Sequence, residues 1–339
     1  MSGPAGERGF DSGSSSNPGN TLADITGLHH VTVISGDAQE NLDFYNGVLG
    51  MRLVKKSVNQ DDPATYHLFY ADGEGHAGSD VTFFPWTKMP AGRRGVGLTN
   101  ELALAVPPGS LPYWAERLAR FGVSTGEQTV RFGEKVLPFT DPHGLALALV
   151  VTADARDFTP WADSPVPEAR QIRGLHGVRI SQRDLGPTAR FLTEVLGFTE
   201  IGEEAGWHRF GLANGGSGRV VDVEETPGAP RGTWGVGSVH HIAWRVPHDE
   251  AERAVRQRIA ASGGRPTDVI DRFWFKSVYF KEPGGALFEL ATDGPGVAAD
   301  ESLDTLGEQL VLPPWLEPNR AQIERGLPRL TAPTAESHA

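Results

Sequence analysis

The stretch GLHHVTVIS, from Gly27 to Ser35, decides the fold: it reads as a half-buried strand through the alternation of HHVTVIS, and it opens on adjacent histidines, His29 and His30. Asp37 and Glu40 follow in capping-box spacing. The run LDFYNGVLG then sets Leu42, Tyr45 and Leu49 on one helical face and stops at Gly50. Three strand-like runs complete the unit, MRLVKKSV, TYHLFYA and SDVTFFP. The order is strand, helix, strand, strand, strand.

The unit recurs from GLHGVRIS onward, where Phe191, Val195 and Gly197 repeat Phe44, Val48 and Gly50, and GRVVDVEE closes the module. A second related pair opens with ELALAVP and HHIAWRVP, runs through helices ending at Gly122 and Gly263, and closes with DPHGLALALV and EPGGALFELA. The expected fold is therefore α+β, with four βαβββ modules pairing into two half-barrel units. The expected boundaries are a disordered Gly/Ser/Pro-rich arm over residues 1–24, an N-terminal pair of modules over 25–152, and a linker over 153–172. A C-terminal pair over 173–296 and a C-terminal extension over 297–339 follow. The extension contains LPPWLEPNRAQIERGLPRL, a Pro-interrupted segment with one helix, expected to pack over the barrel or near a site entrance.

Composition narrows the chemistry. The 339 residues, 39% of them hydrophobic, suffice for ordinary cores, and the formal net charge of −12 argues against a polyanionic partner such as nucleic acid or an anionic membrane surface. No run approaches the ~18 apolar residues of a membrane span, and the first 20 residues lack the apolar core of a secretory signal. The chain has no cysteine, so disulfides and thiolate metal sites are excluded, and any metal must be held by histidine and carboxylate. A cytoplasmic location is the simplest expectation.

The modules differ where chemistry would be carried. Aligning the Val-Pro ends of the second and fourth modules sets Glu101 opposite His241, and aligning their turns sets Ala148 opposite Glu289. Only the fourth module then has a histidine on its first strand and a glutamate on its last. A carboxylate inside the apolar strand GALFELAT is costly unless paired or metal-bound. Two imidazoles and one carboxylate form the donor set of a non-haem Fe(II) site with open positions, and Mn(II) shares that preference. With His241 and Glu289 in one module, the third ligand comes from His30 in the first module or His176 in the third. Adjacent strand residues point to opposite faces, so the members of a doublet cannot be equivalent ligands; if His30 and His241 face a metal, His29 and His240 point away or reach the substrate rim through a twist or bulge. His67, His76, His143, His208, His248 and His338 read as surface or structural residues. The strand SDVTFF offers Asp80 or Thr82 at best as a further ligand.

The segments ITGLHHVT, YHLFYAD, PGSLPYW (Pro108 to Trp114), VRFGEKV, IGEEAGWHRF and EPGGALFEL resemble the vicinal oxygen chelate superfamily, the glyoxalase, bleomycin-resistance and extradiol dioxygenase group. The resemblance covers Ile25 to Asp293 and lies nearest the hydroquinone and chlorohydroquinone 1,2-dioxygenase branch. It implies metal ligands at His30, His241 and Glu289, and functional residues around them at His29, His240, Thr32, Arg272 and Tyr279. It implies Fe(II) as cofactor, with Mn(II) as the alternative, and O2 and a small aromatic as substrates; a homo-oligomer is compatible with it. The alternatives are a catechol-type extradiol dioxygenase, and a glyoxalase-type isomerase or lyase, which would want a further acidic ligand. A non-catalytic binding protein is disfavoured, because it needs no such triad.

Overall fold

The computed structural model describes residues 24–333; the expected N-terminal arm, apart from Asp24, and His338 lie outside them. The first module comprises β1 (Gly27–Ser35), α1 (Ala38–Leu42), β2 (Arg52–Asn59), β3 (Asp62–Ala71) and β4 (Asp80–Pro85). The second comprises β5 (Leu98–Val106), α2 (Leu111–Arg120), β6 (Thr129–Arg131), β7 (Glu134–Thr140) and β8 (Ala146–Val151). The third comprises β9 (Gly174–Gln182), α3 (Leu185–Arg190), β10 (Thr199–Glu204), β11 (Trp207–Gly211) and β12 (Val220–Glu225). The fourth comprises β13 (Ser238–Val246), α4 (Asp249–Ala261), β14 (Ile270–Asp271), β15 (Lys276–Lys281) and β16 (Leu287–Thr292), and the extension carries α5 (Arg320–Gly326). No helix among the described residues is long and apolar enough to cross a membrane.

The expected first helix is only partly α-helical. Asp37 caps it by accepting from the Gln39 and Glu40 amides, and after one turn the backbone widens into a π-helical segment, Asp43–Val48. Phe44 and Val48 in this segment are buried alongside Leu42, Tyr45 and Leu49. The third module repeats this with a π-helical segment at Phe191–Val195. Gly50 ends the first helix with φ +68°, and a Cβ there would lie 2.6 Å from Ser164 Oγ and Val166 Cγ2, so only glycine both turns the chain and lets residues 164–166 pack against it.

The modules build two curled eight-stranded sheets. One runs β14-β15-β16-β13-β1-β4-β3-β2 and the other β10-β11-β12-β9-β5-β8-β7-β6. Each sheet thus draws one module from either half of the chain, first with fourth and third with second, so the sheets do not coincide with the halves 25–152 and 173–296. The cause is strand pairing: β1 lies antiparallel to β13, and β5 antiparallel to β9. The connections between successive modules pair as well. Gly92 N donates to Val236 O, Val236 N to Pro90 O, and Arg93 and Thr233 exchange backbone bonds, which holds the two halves in register. The later part of the extension packs on β2 and β3, where Ile323 joins Val58 and Leu312 and the Tyr66 hydroxyl donates to Pro328 O over 2.8 Å, while Val297 and Leu306 cluster with Val54, Phe69 and Trp274.

Candidate metal centre

The β1–β13 pairing is irregular at two places, and these irregularities build the site. The register passes from Leu28↔Trp244 to His30↔Ala243, leaving His29 as an extra residue on β1. It passes again from Thr32↔His241 to Val33↔Val239, leaving His240 extra on β13. Each doublet therefore spans a β-bulge, which re-aims a side chain that strict alternation would send to the opposite face. At the bulge the His29 carbonyl accepts from Gly78 N over 2.6 Å.

His30, His241 and Glu289 converge in the interior of this sheet. Both Nε2 atoms face Glu289 Oε2, at 3.3 Å from His30 and 2.8 Å from His241, and they lie 3.3 Å from each other. All three residues are buried, Glu289 completely. Among the described residues this is the one group of three or more His, Asp or Glu side chains whose ligand atoms all lie within 4.8 Å of one another. Burial opposes charge on Glu289, yet the two imidazoles hold its carboxyl well below the usual range. Its Oε1 accepts a short hydrogen bond from Ser277, whereas Oε2 makes no aligned hydrogen bond. A buried carboxylate oxygen facing two imidazole nitrogens suits a cation at that point.

The first member of each doublet orients the second. His29 Nδ1 lies 2.9 Å from His30 Nδ1, and His240 Nδ1 lies 2.8 Å from His241 Nδ1. With the Nε2 lone pairs of His30 and His241 turned to the cation position, their Nδ1–H groups donate, and His29 and His240 accept. The acceptors must be neutral, and burial pushes both His29 and His240 down to about 3. His240 also stacks on Trp234, with ring centroids 4.7 Å apart, and meets Phe84 and Trp86 edge-on.

The remaining expected residues surround this centre. Thr32 Oγ1 lies 2.8 Å from His241 Nε2 and 2.8 Å from Thr82 Oγ1. Tyr279 stands opposite Glu289 in the β15–β16 register, and its ring lies 5.5 Å from that of His241. Burial, reinforced by the Glu289 charge, raises the Tyr279 pKa, so the phenol stays protonated and available as a donor. Arg272 lies over the Tyr279 ring and reaches the rim, where it pairs with Asp61 at 2.9 Å and its carbonyl accepts from Gln60 over 2.9 Å. The cavity between these groups, lined also by His67, Phe69, Trp274 and Phe275, holds about 40 Å³.

His67 and Ser277 are the residues that sequence reasoning missed. His67, expected to be structural, lines the cavity and lies 3.0 Å from Thr82 Oγ1. Ser277 was legible in principle, since it shares the period-two face of Tyr279 on one strand.

His176 lies elsewhere. The second sheet carries the same two bulges, with Asn100 and His176 as its extra residues, so His176 is the counterpart of His29 and Gly177 that of His30. His176 Nε2 lies 3.2 Å from Glu134 within a cluster of ion pairs, including Arg209 with Glu134 and Asp222 at 2.6 and 2.7 Å and Arg179 with Asp222 at 3.3 Å. Charge pairing fills the space that the first sheet leaves to its triad.

Comparison with known proteins accords with this architecture. Residues 27–149 and 174–290 match the family model described as Glyoxalase/Bleomycin resistance protein/Dioxygenase superfamily. MhqO of Bacillus subtilis (strain 168), which bears the name of a ring-cleaving dioxygenase, is 43% identical over 301 residues, 89% of this chain and 95% of MhqO. The chlorohydroquinone/hydroquinone 1,2-dioxygenase of Sphingobium indicum is 33% identical over 301 residues, 86% of this chain and 93% of that protein. A crystal structure of a protein named as a dioxygenase from Bacillus subtilis superposes with a TM-score of 0.87 at 41% identity, covering 91% of this chain and 98% of its own.

Proposed function

Because this chain belongs to the glyoxalase, bleomycin resistance protein and dioxygenase superfamily, we propose that it is a ring-cleaving dioxygenase of the extradiol type, acting on a hydroquinone or substituted hydroquinone. In this reading His30, His241 and Glu289 hold Fe(II), with Mn(II) as the alternative. The observation that carries it is the fully buried Glu289 Oε2, which faces two imidazole nitrogens at 3.3 and 2.8 Å and makes no aligned hydrogen bond. Relatives named as ring-cleaving dioxygenases, one of them for hydroquinones, support the substrate class.

When bound, a metal with three protein ligands on one face supplies open positions for a substrate oxygen and O2 and favours the ionised form of the substrate hydroxyl. The protein's own groups do the rest. His29 and His240 fix the rings of His30 and His241 through their Nδ1 atoms. Tyr279, kept protonated, donates to a developing oxyanion, and Arg272 adds a fixed positive charge on the same side. Phe69, Trp274 and Phe275 exclude water and present apolar surface to a flat ring. A glyoxalase-type isomerase is the weaker reading, since it would want a fourth acidic ligand, and His30, His241 and Glu289 are joined by no other carboxylate among the described residues.

The test is anaerobic loading with Fe(II), followed by oxygen uptake with hydroquinone, chlorohydroquinone and catechol. Uptake with the hydroquinones is expected. Uptake with catechol alone would move the assignment to the catechol-cleaving type, and no uptake with any dihydroxybenzene would overturn it.

A further inference from the structure

Hydroquinone differs from catechol in where its second hydroxyl lies. Both catechol oxygens sit on one edge of the ring and can reach a metal together, whereas the two hydroquinone oxygens are at opposite ends, so that one is buried away from the cation. A hydroxyl buried without a partner is costly, and a site that discriminates strongly by a hydroxyl does so with a polar group placed to meet it. A cavity that takes a hydroquinone therefore needs such a group beyond the ring.

Most polar groups around the cavity are already engaged. Arg272 pairs with Asp61 at 2.9 Å, Gln60 Nε2 donates to Arg272 O over 2.9 Å, and Asn59 Oδ1 accepts from Asp61 N over 2.9 Å. Tyr279 lies on β15, on the Glu289 side of the strand row β15-β16-β13-β1-β4-β3. His67 lies on β3, at the other end of that row, and lines the same cavity. Its Nε2 is 3.0 Å from Thr82 Oγ1, and its ring packs on those of Phe69 and Phe84, with centroids 4.1 and 4.5 Å away. His67 Nδ1 has no protein partner among the described residues and is not sealed from accessible space. Burial, reinforced by the neighbouring imidazoles of His30 and His241, pushes the His67 pKa well below its ordinary value, so the ring is neutral and offers one donor and one acceptor. A neutral imidazole suits a neutral hydroxyl.

On the ring-cleaving reading proposed above, we infer that His67 receives the hydroxyl that a hydroquinone turns away from the metal, and so sets the preference of this site for a para- over an ortho-dihydroxybenzene. Tyr279 and Arg272 serve the oxygen at the metal, and His67 serves the oxygen at the opposite end of the ring. Catechol, with both oxygens at the metal end, leaves His67 without a partner, and so does phenol.

The test measures anaerobic dissociation constants for hydroquinone, catechol and phenol on the Co(II)-loaded protein, read from its visible spectrum. Wild type is expected to bind hydroquinone at least tenfold more tightly than phenol, which lacks only the far hydroxyl. His67→Phe is expected to lose at least tenfold in hydroquinone affinity while phenol and catechol stay within threefold. His67→Gln, which keeps a donor and an acceptor, is expected to retain at least a threefold preference for hydroquinone over phenol. If His67→Phe folds poorly, His67→Leu carries the same comparison, and the wild-type ratio needs no variant. A wild type without the preference, a folded His67→Phe or His67→Leu protein whose hydroquinone-to-phenol ratio stays within threefold of wild type, or a His67→Gln protein as indifferent as His67→Phe would overturn the inference. Oxygen uptake by the Fe(II)-loaded wild type separates the two levels. If it consumes oxygen with hydroquinone while the ratio survives His67→Phe, the ring-cleaving reading stands and the role of His67 falls; if it neither binds hydroquinone nor consumes oxygen with it, both fall.

Discussion

Replacing Ser277 with alanine should weaken metal binding while leaving the site assembled. Ser277 Oγ donates to Glu289 Oε1, and both residues are 0% exposed, so no water can take over the bond. A hydrogen bond to a charged group contributes about 1.5–3 kcal/mol net, which at about 1.4 kcal/mol per decade corresponds to roughly 10- to 150-fold in an equilibrium constant. Losing an outer partner of a metal ligand costs about 10- to 100-fold in affinity in comparable sites, so the two routes agree. The change removes one oxygen atom, and the neighbouring Val278 and Tyr279 keep the strand's packing. Fe(II) or Co(II) affinity should be measured by anaerobic chelator competition, with the melting temperature of the metal-free protein as control. The metal-free variant should also lose stability, because a buried carboxylate oxygen is left unpaired, at about 1–3 kcal/mol. A Ser277→Ala protein that binds metal within threefold of wild type, or more tightly, would refute the view that this bond holds Glu289 as a ligand.

Four further outcomes follow from the geometry. His30→Ala should abolish tight Fe(II) binding while His176→Ala leaves it within about threefold, since His176 belongs to the ion-pair cluster of the other sheet; metal analysis of the two purified variants decides it, and the reverse pattern would sink the assignment. Asp61 and Arg272, paired at 2.9 Å, both line the cavity of about 40 Å³, well below the ~150 Å³ of an engineered cavity that admits benzene. A rim pair of this exposure is worth at most about 1 kcal/mol, so Asp61→Ala should speed hydroquinone association up to about fivefold in anaerobic stopped flow, and an unchanged rate would refute a gating role for the pair. Lys55 is completely buried and bonds Asp300 over 2.7 Å, with Glu301 as a second partner, so Lys55→Met, which strands both acids, should cost about 3–5 kcal/mol and open the extension to proteases; equal cleavage rates would contradict this. Burial pushes Glu252, 1% exposed and with neither oxygen hydrogen-bonded, up to about 7. The folded state then holds this proton more tightly than the unfolded chain, where a glutamate titrates near about 4.3, so stability falls as pH rises through that interval. Glu252→Gln should escape the loss, its advantage growing between pH 5 and 8 to at most about 3 kcal/mol, and a difference independent of pH would refute the claim.

What the sequence disclosed and what it hid have physical reasons. The modules were legible because capping by Asp37 and the turn at Gly50 are local, and because Phe44, Val48 and Gly50 recur as Phe191, Val195 and Gly197. Glu289 stood out because an apolar strand tolerates a carboxylate only with a partner. The choice of partner modules was not legible: β1, β5, β9 and β13 carry similar apolar patterns, and which edges join is decided by non-local contacts such as Gly92 with Val236. The bulges were hidden for the same reason, since they are set by the pairing of β1 with β13, strands far apart in sequence. The third ligand is a different matter. GLHHV and GLHGV align without a gap, which sets His176 opposite His29 and leaves Gly177 opposite His30. The paired sheets repeat that correspondence, because each has its extra residue at the first position of the doublet, His29 in one and His176 in the other. If the residue after the bulge is the one aimed at a metal, the third module offers only a glycine there, so the two five-residue strings favour His30 over His176 once the bulge position is known.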